Sequence, residues 1–198
     1  MKKPNIVLII IVLAAAAGFI FLKPNFQKEE PNIQVLAQDY KNATYIIEGR
    51  PITLANGLSE IEAATGSAKI ITRYFGNEVK HDLNDDGRED VAFLLTQETG
   101  GSGVFFYVVA ALHTPNGYIG SEALFLGDRI APQTTHMEEG KTVRSTNRQN
   151  VVVVNYAVRL PNEPFTVQAS LGKSMWIKLD PVTMQFGEVA HNFEGESR

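Results

Sequence analysis

Apolar and polar positions alternate over short distances through most of this chain, and beyond residue 40 no long stretch keeps the period of an amphipathic helix. Thr44-Tyr45-Ile46-Ile47-Glu48 and Ile52-Thr53-Leu54 flank Gly49-Arg50-Pro51, which predicts a hairpin, and Asn56-Gly57 marks the next turn. Ile70 to Phe75 and Val91 to Leu95 are short, apolar and rich in β-branched or aromatic residues. Val104 to Leu112 is almost unbroken in its hydrophobicity and predicts a strand buried on both faces, as does Val151 to Val158. Met175 to Leu179 and Phe186 to Val189 complete the series. Leu58 to Ala64 reads as a short helix and Asp128 to Gln149 as a long polar loop. Strands separated by turns, without helices to cover them, predict an all-β domain, an antiparallel barrel or sandwich.

The N-terminus departs from this pattern. Met1-Lys2-Lys3 precedes an uninterrupted apolar run from Ile6 to Leu22, followed by Lys23-Pro24 and the polar Gln27-Lys28-Glu29-Glu30-Pro31. Such a run after lysines is an export signal. Its length as a helix is roughly 25 Å, enough for a single transmembrane helix if the flanking lysines snorkel, with the N-terminus inside and the bulk of the chain outside the cytoplasmic membrane. Ala14 to Ala17 leaves cleavage open, which would instead give a secreted or periplasmic protein, although the mature terminus would then begin with Gly18-Phe19-Ile20-Phe21-Leu22. The expected organisation is an anchor or signal over 1–23, a tether over 24–40 and one extracytoplasmic β domain over 41–198.

Composition narrows the classes of function. The 198 residues are 44% hydrophobic and 20% charged, enough for one sizeable core. A formal charge of -4 with scattered lysines and arginines offers no basic field for nucleic acid. The absence of cysteine excludes disulfides, thiolate metal sites, a cysteine nucleophile and a lipidated N-terminus.

One loop carries specific chemistry. In Asp82-Leu83-Asn84-Asp85-Asp86-Gly87-Arg88-Glu89-Asp90, oxygen-bearing side chains stand at the first, third, fifth and ninth places and glycine at the sixth. Calcium takes hard oxygen ligands from alternate positions of a sharply bent loop. Asp82, Asn84, Asp86 and Asp90 would supply side chains, and Arg88 its backbone carbonyl. Phe93 stands where the bidentate glutamate of a helix-loop-helix calcium site belongs, and the flanks read as strands, so the loop joins or precedes strands. With Asp90-Val91-Ala92-Phe93 following, the segment from Asp82 to about Leu94 resembles the calcium loops of FG-GAP and VCBS repeats and, more loosely, of dockerins. That resemblance implies calcium binding by Asp82, Asn84, Asp86 and Asp90; with a single copy, it does not imply a propeller. The alternative is a polar hairpin turn built on Asp86-Gly87.

Other motifs fall away. Gln97 to Gly103 is glycine-rich but leads into strand-like Val104 to Tyr107 and lacks the Gly-Lys-Ser/Thr ending of a phosphate cradle, which predicts a flexible hairpin connection. Ser170-Leu171-Gly172-Lys173 fits the S-x-x-K of penicillin-binding acyl enzymes without the partner motifs. Gly172-Lys173-Ser174 lacks the earlier glycine of a P-loop. His81, His113, His136 and His191 form no metal-ligand pair. Asn42-Ala43-Thr44 is a glycosylation sequon in form only.

Thr96 to Gly103, Gly127 to Gln133 and Val153 to Ala157 look similar to stretches of uncharacterised exported bacterial proteins, a likeness that spans Asn42 to Phe193 and implies a compartment rather than an activity. The expected role is a non-enzymatic, membrane-anchored module of the bacterial envelope, braced by one calcium ion and meeting another envelope protein or polymer. The rival is an envelope hydrolase or ligand-binding protein using Glu98, Asp128, Arg129 and His136, which would require those groups to share a cleft. An inhibitor or chaperone is a third class with no motif behind it.

Overall fold

The computed structural model describes residues 36–62, 68–138 and 149–190, so the apolar run Ile6 to Leu22 and most of the expected tether lie outside the described residues. Among the described residues no helix is long and apolar enough to cross a membrane. The described residues are all β in their regular structure apart from one 3-10 turn at Tyr40–Asn42. Its strands are β1 (Thr44–Ile47), β2 (Arg50–Thr53), β3 (Leu58–Glu62), β4 (Lys69–His81), β5 (Asp90–Glu98), β6 (Phe105–Thr114), β7 (Gly117–Gly120), β8 (Leu124–Asp128), β9 (Ala131–Met137), β10 (Val151–Val158), β11 (Leu171–Asp180) and β12 (Gln185–Glu188).

These strands form three antiparallel sheets. The largest runs β3-β4-β5-β6-β7, with β8 beside β7 on the same edge of β6; the second runs β12-β11-β10-β9; β1 and β2 make a hairpin. Sequence left barrel and sandwich open, and among the described residues no barrel closes.

The continuous hydrophobicity of β5 and β6 has a direct structural cause, because both faces of the large sheet are covered there. Ala92, Leu94, Phe106, Val108, Ala110 and Leu112 face Val152, Val154, Tyr156, Ile177 and Leu179 of the four-stranded sheet. Val91, Phe93, Leu95, Tyr107, Val109 and Ala111 point the other way, against Tyr45, Ile47, Ile52 and Leu54 of the hairpin. Alternate residues of one strand thus enter two separate cores. The hairpin lies so close that a Cβ on Gly120 would stand 2.2 Å from the carbonyl oxygen of Thr44. Its turn, Glu48-Gly49, and the next, Asn56-Gly57, each take two consecutive positive φ values, as a two-residue hairpin turn requires.

Two expectations are corrected. Leu58 to Glu62 is the strand β3 rather than the start of a helix. Leu58 and Ile61 have helical spacing, but both are 39% exposed, and pairing to β4 with a Glu60–Lys69 ion pair decides the conformation. The expected loop from Asp128 onward contains β9, whose polar sequence suits a strand paired only to β10. Its residues 139–148 lie outside the described residues.

Truncating Phe93, which is fully buried at the centre of the hairpin core against Tyr40, Tyr45 and Tyr74, should destabilise the fold by about 3–5 kcal/mol. Denaturant unfolding of Phe93→Ala checks this; a loss below about 1 kcal/mol would mean that the hairpin core contributes little.

Candidate functional site

The Asp82–Asp90 loop joins β4 to β5, and its backbone is bent by left-handed conformations at Asp85 (φ 62°) and Gly87 (φ 84°). That bend turns successive amides inward. Asp82 receives the amides of Asp86 at 3.0 Å and Gly87 at 2.7 Å, on different oxygens. Asn84 Oδ1 receives the Asp86 amide at 3.2 Å, and Asp86 Oδ1 receives that of Arg88 at 2.9 Å. Asp82, Asn84 and Asp86 therefore direct side-chain oxygens over one turn, a common use of Asx side chains.

Asp90 has a different position. It opens β5 and is 1% exposed. Its Oδ2 accepts the Leu83 amide at 2.9 Å and its Oδ1 the His113 amide at 2.7 Å, so one buried carboxylate ties the loop to the end of β6. Burial pushes the Asp90 carboxyl above its ordinary value, the charges of Asp86 and Asp82 add to this, and the two amide bonds oppose it.

Every other acidic group in the loop has a partner too. Arg88 Nη2 meets Asp86 Oδ2 at 2.5 Å while its Nε donates to the His113 carbonyl at 2.6 Å. Asn84 Nδ2 also donates to Asp86 Oδ2, and it leads the interactions that hold the Asp86 carboxyl below the usual range. Asp85 accepts from Asn150 at the start of β10, and Glu89 pairs loosely with Lys80 at 3.9 Å. The negative charge of the loop's acids is thus offset by amides, amide side chains and two cations. Among the described residues no group of three or more histidine, aspartate or glutamate side chains is gathered tightly enough to hold a metal ion by itself.

The fit of calcium to this loop is therefore mixed. The donors are the hard oxygens calcium takes, and the bend is in place. Against it, Asp86 is occupied by a guanidinium and both Asp90 oxygens face amides. Each of those oxygens keeps a further lone pair.

Of the residues of the rival reading, only Asp128 and Arg129 bond each other, and Glu98 has a different partner. Glu98 pairs with Arg73, Asp128 with Arg129 at 2.6 Å, and His136 sits on β9 opposite Val153. Asp128 also accepts the Val104 amide, and Arg129, first among the causes, keeps its carboxyl low. A hollow along Lys178 to Ala190, another of about 290 Å³ at Glu48, Gln97 and Phe125, and a third around Glu122 and Phe186 are lined by none of the four.

A polar cluster not evident in the sequence stands on the hairpin side. Glu78 Oε2 accepts both Tyr40 and Tyr74 hydroxyls at 2.7 Å, and the Lys41 ammonium lies 4.1 Å from the Tyr74 ring centre. Burial, then the bond to Glu78, raises the Tyr74 hydroxyl to about 12 and moves Tyr40 in the same direction. The two tyrosine bonds hold Glu78 below its usual value. Tyr40 falls within the expected tether, and only the fold brings it to Glu78. His113 stacks on Tyr118 with ring centres 4.7 Å apart.

No family model, no curated protein and no solved structure matches this chain.

Removing the Asp90 carboxylate should cost about 3 kcal/mol, since two amides lose a charged acceptor in a buried setting, and should lower the melting temperature by roughly 6–12 °C. Asp85→Ala should stay within about 0.5 kcal/mol. Equal effects of Asp90→Ala and Asp85→Ala in thermal unfolding would contradict the assignment. For Glu78 the folded carboxyl titrates below the unfolded one, so its contribution is complete above about pH 4.5 and is lost as pH falls through the folded value. The melting-temperature difference between the native chain and Glu78→Gln should shrink on acidification between about pH 6 and pH 3; a constant difference would refute the linkage.

Proposed function

We propose that this chain is a non-enzymatic domain of the bacterial envelope, anchored by the apolar run Ile6 to Leu22 with its β domain outside the cytoplasmic membrane. In this reading the Asp82–Asp90 loop takes one calcium ion, which braces the end of the central sheet, and the braced domain meets another envelope component. The observation that supports it is the convergence of Asp82, Asn84 and Asp86 oxygens over the left-handed turn at Asp85 and Gly87. The acids at the first, fifth and ninth positions, which cap amides here, are also hard oxygen donors at the spacing of a calcium loop.

Asp82, Asn84, Asp86 and the Arg88 carbonyl would hold the ion, with Asp90 contributing through its remaining lone pairs and water filling the rest. Bound there, calcium supplies divalent charge and no reaction chemistry. The Arg88 guanidinium supplies positive charge to Asp86 in the ion's absence and competes with it when it binds. Because Asp90 bridges the loop to β6, tightening the loop stabilises the whole sheet end. The gain follows RT ln(1 + [Ca]/Kd), about 2.7 kcal/mol at a hundredfold excess over Kd, and millimolar extracellular calcium suits even a weak site.

Calcium titration of the full chain in detergent, followed by melting temperature and heat of binding, should show saturable stabilisation that magnesium does not reproduce. Asp82→Asn with Asp86→Asn should abolish it. Arg88→Gln should tighten binding several-fold, because a competing cation is removed. No shift at millimolar calcium would leave the loop an acidic hairpin turn.

A further inference from the structure

Beside the turn of the β1–β2 hairpin, a hollow of about 290 Å³ opens between Glu48, Gln97, Thr99, Phe105, Tyr107 and Phe125. Gln97 is the penultimate residue of β5, whereas Asp90 opens it, so the hollow lies at the opposite end of the strand from the acidic loop, roughly 25 Å away. We propose that this hollow binds a neutral sugar ring of a polysaccharide.

The lining explains the choice of ligand. Phe105, Tyr107 and Phe125 form an aromatic wall with ring centres 5.4 and 6.3 Å apart, and Phe125 is 50% exposed although it projects from a sheet. An exposed ring beside a concavity offers an apolar face to the C–H face of a sugar. The opposite wall is polar. Glu48 is held in the left-handed turn (φ 50°) and accepts the Tyr107 hydroxyl at 3.0 Å through Oε1, leaving its other oxygen to take a ligand hydroxyl. Gln97, only 6% exposed, spends its amide N–H on the buried Thr72 hydroxyl at 3.1 Å, which leaves its carbonyl oxygen as an acceptor. Thr99 adds a hydroxyl that donates or accepts.

Charge sets the class. Among the described residues no lysine or arginine lines the hollow, and Glu48 contributes negative charge, so a phosphate or an acidic sugar would be repelled and an uncharged polyol accepted. The volume stands at the lower end of the range for small-ligand sites, about 300 Å³, which suits one ring of a longer chain.

The test uses the full chain in a detergent without a sugar head group. Cellohexaose, maltohexaose and chitotetraose serve as neutral probes and oligogalacturonate as the acidic one, read by saturation-transfer NMR and calorimetry. At least one neutral probe should bind saturably, and Phe125→Ala and Glu48→Gln should each weaken it about tenfold or more while the melting temperature holds. Phe165→Ala, which removes an aromatic ring 58% exposed elsewhere, should change nothing. Absence of saturable binding by every neutral probe to about 10 mM, preference for the acidic probe, or binding that survives Phe125→Ala would overturn the proposal.

Discussion

The burial of β5 and β6 on both faces is the constraint on which the rest of this structure depends. Two adjacent strands that face apolar layers on either side can hold no charge along their length. Polar groups are displaced to their ends, and each end becomes distinctive. At one, Asp90, the single buried carboxylate among the described residues, is satisfied by two amides and gathers a loop and a strand end around itself. At the other, Gln97 and Thr72 bond each other beneath the sheet face where the hairpin stops. Ser121, also fully buried, serves the outer edge of β6 in the same way: its backbone and hydroxyl both bond Ala110, at the place where pairing passes from β7 to β8.

Strands that build the cores were legible in the sequence, because dual burial writes itself as an unbroken apolar run in Val104 to Leu112 and Val151 to Val154. The turn at Asn56-Gly57 was legible for a local reason, since positive φ favours those residue types, whereas the turn expected at Gly49-Arg50-Pro51 falls earlier, at Glu48-Gly49, with Arg50 and Pro51 already in β2. The edges were not. β3 and β9 meet one partner strand each and carry polar or mixed residues, so long-range pairing outweighed local pattern. The second half of β4 is bulged around Gly76, which breaks its alternation.

For the candidate site, oxygen spacing from Asp82 to Asp90 was visible, and the bend at Gly87 followed from it. Nothing in the spacing revealed that Arg88 would turn its guanidinium onto Asp86, or that Asp90 would be buried against the His113 amide, which is 23 residues away. Both depend on where β6 ends. Tyr40 meeting Glu78 and Glu48 meeting Tyr107 are equally non-local, joining residues 38 and 59 positions apart, and no periodicity encodes them. The acidic loop and the aromatic hollow thus stand at opposite ends of β5, and the proposed calcium and sugar sites would act on separate parts of the same sheet.

Amide hydrogen exchange of the full chain with and without calcium reads the proposed action of the ion on the sheet through the Asp90 bridge. The account predicts slower exchange with calcium at Leu83, Asp86, Gly87, Arg88 and His113, the amides that bond Asp82, Asn84, Asp86 and Asp90, and no change at the distant Glu48-Gly49 turn. Identical exchange at those five amides in the two conditions would contradict it.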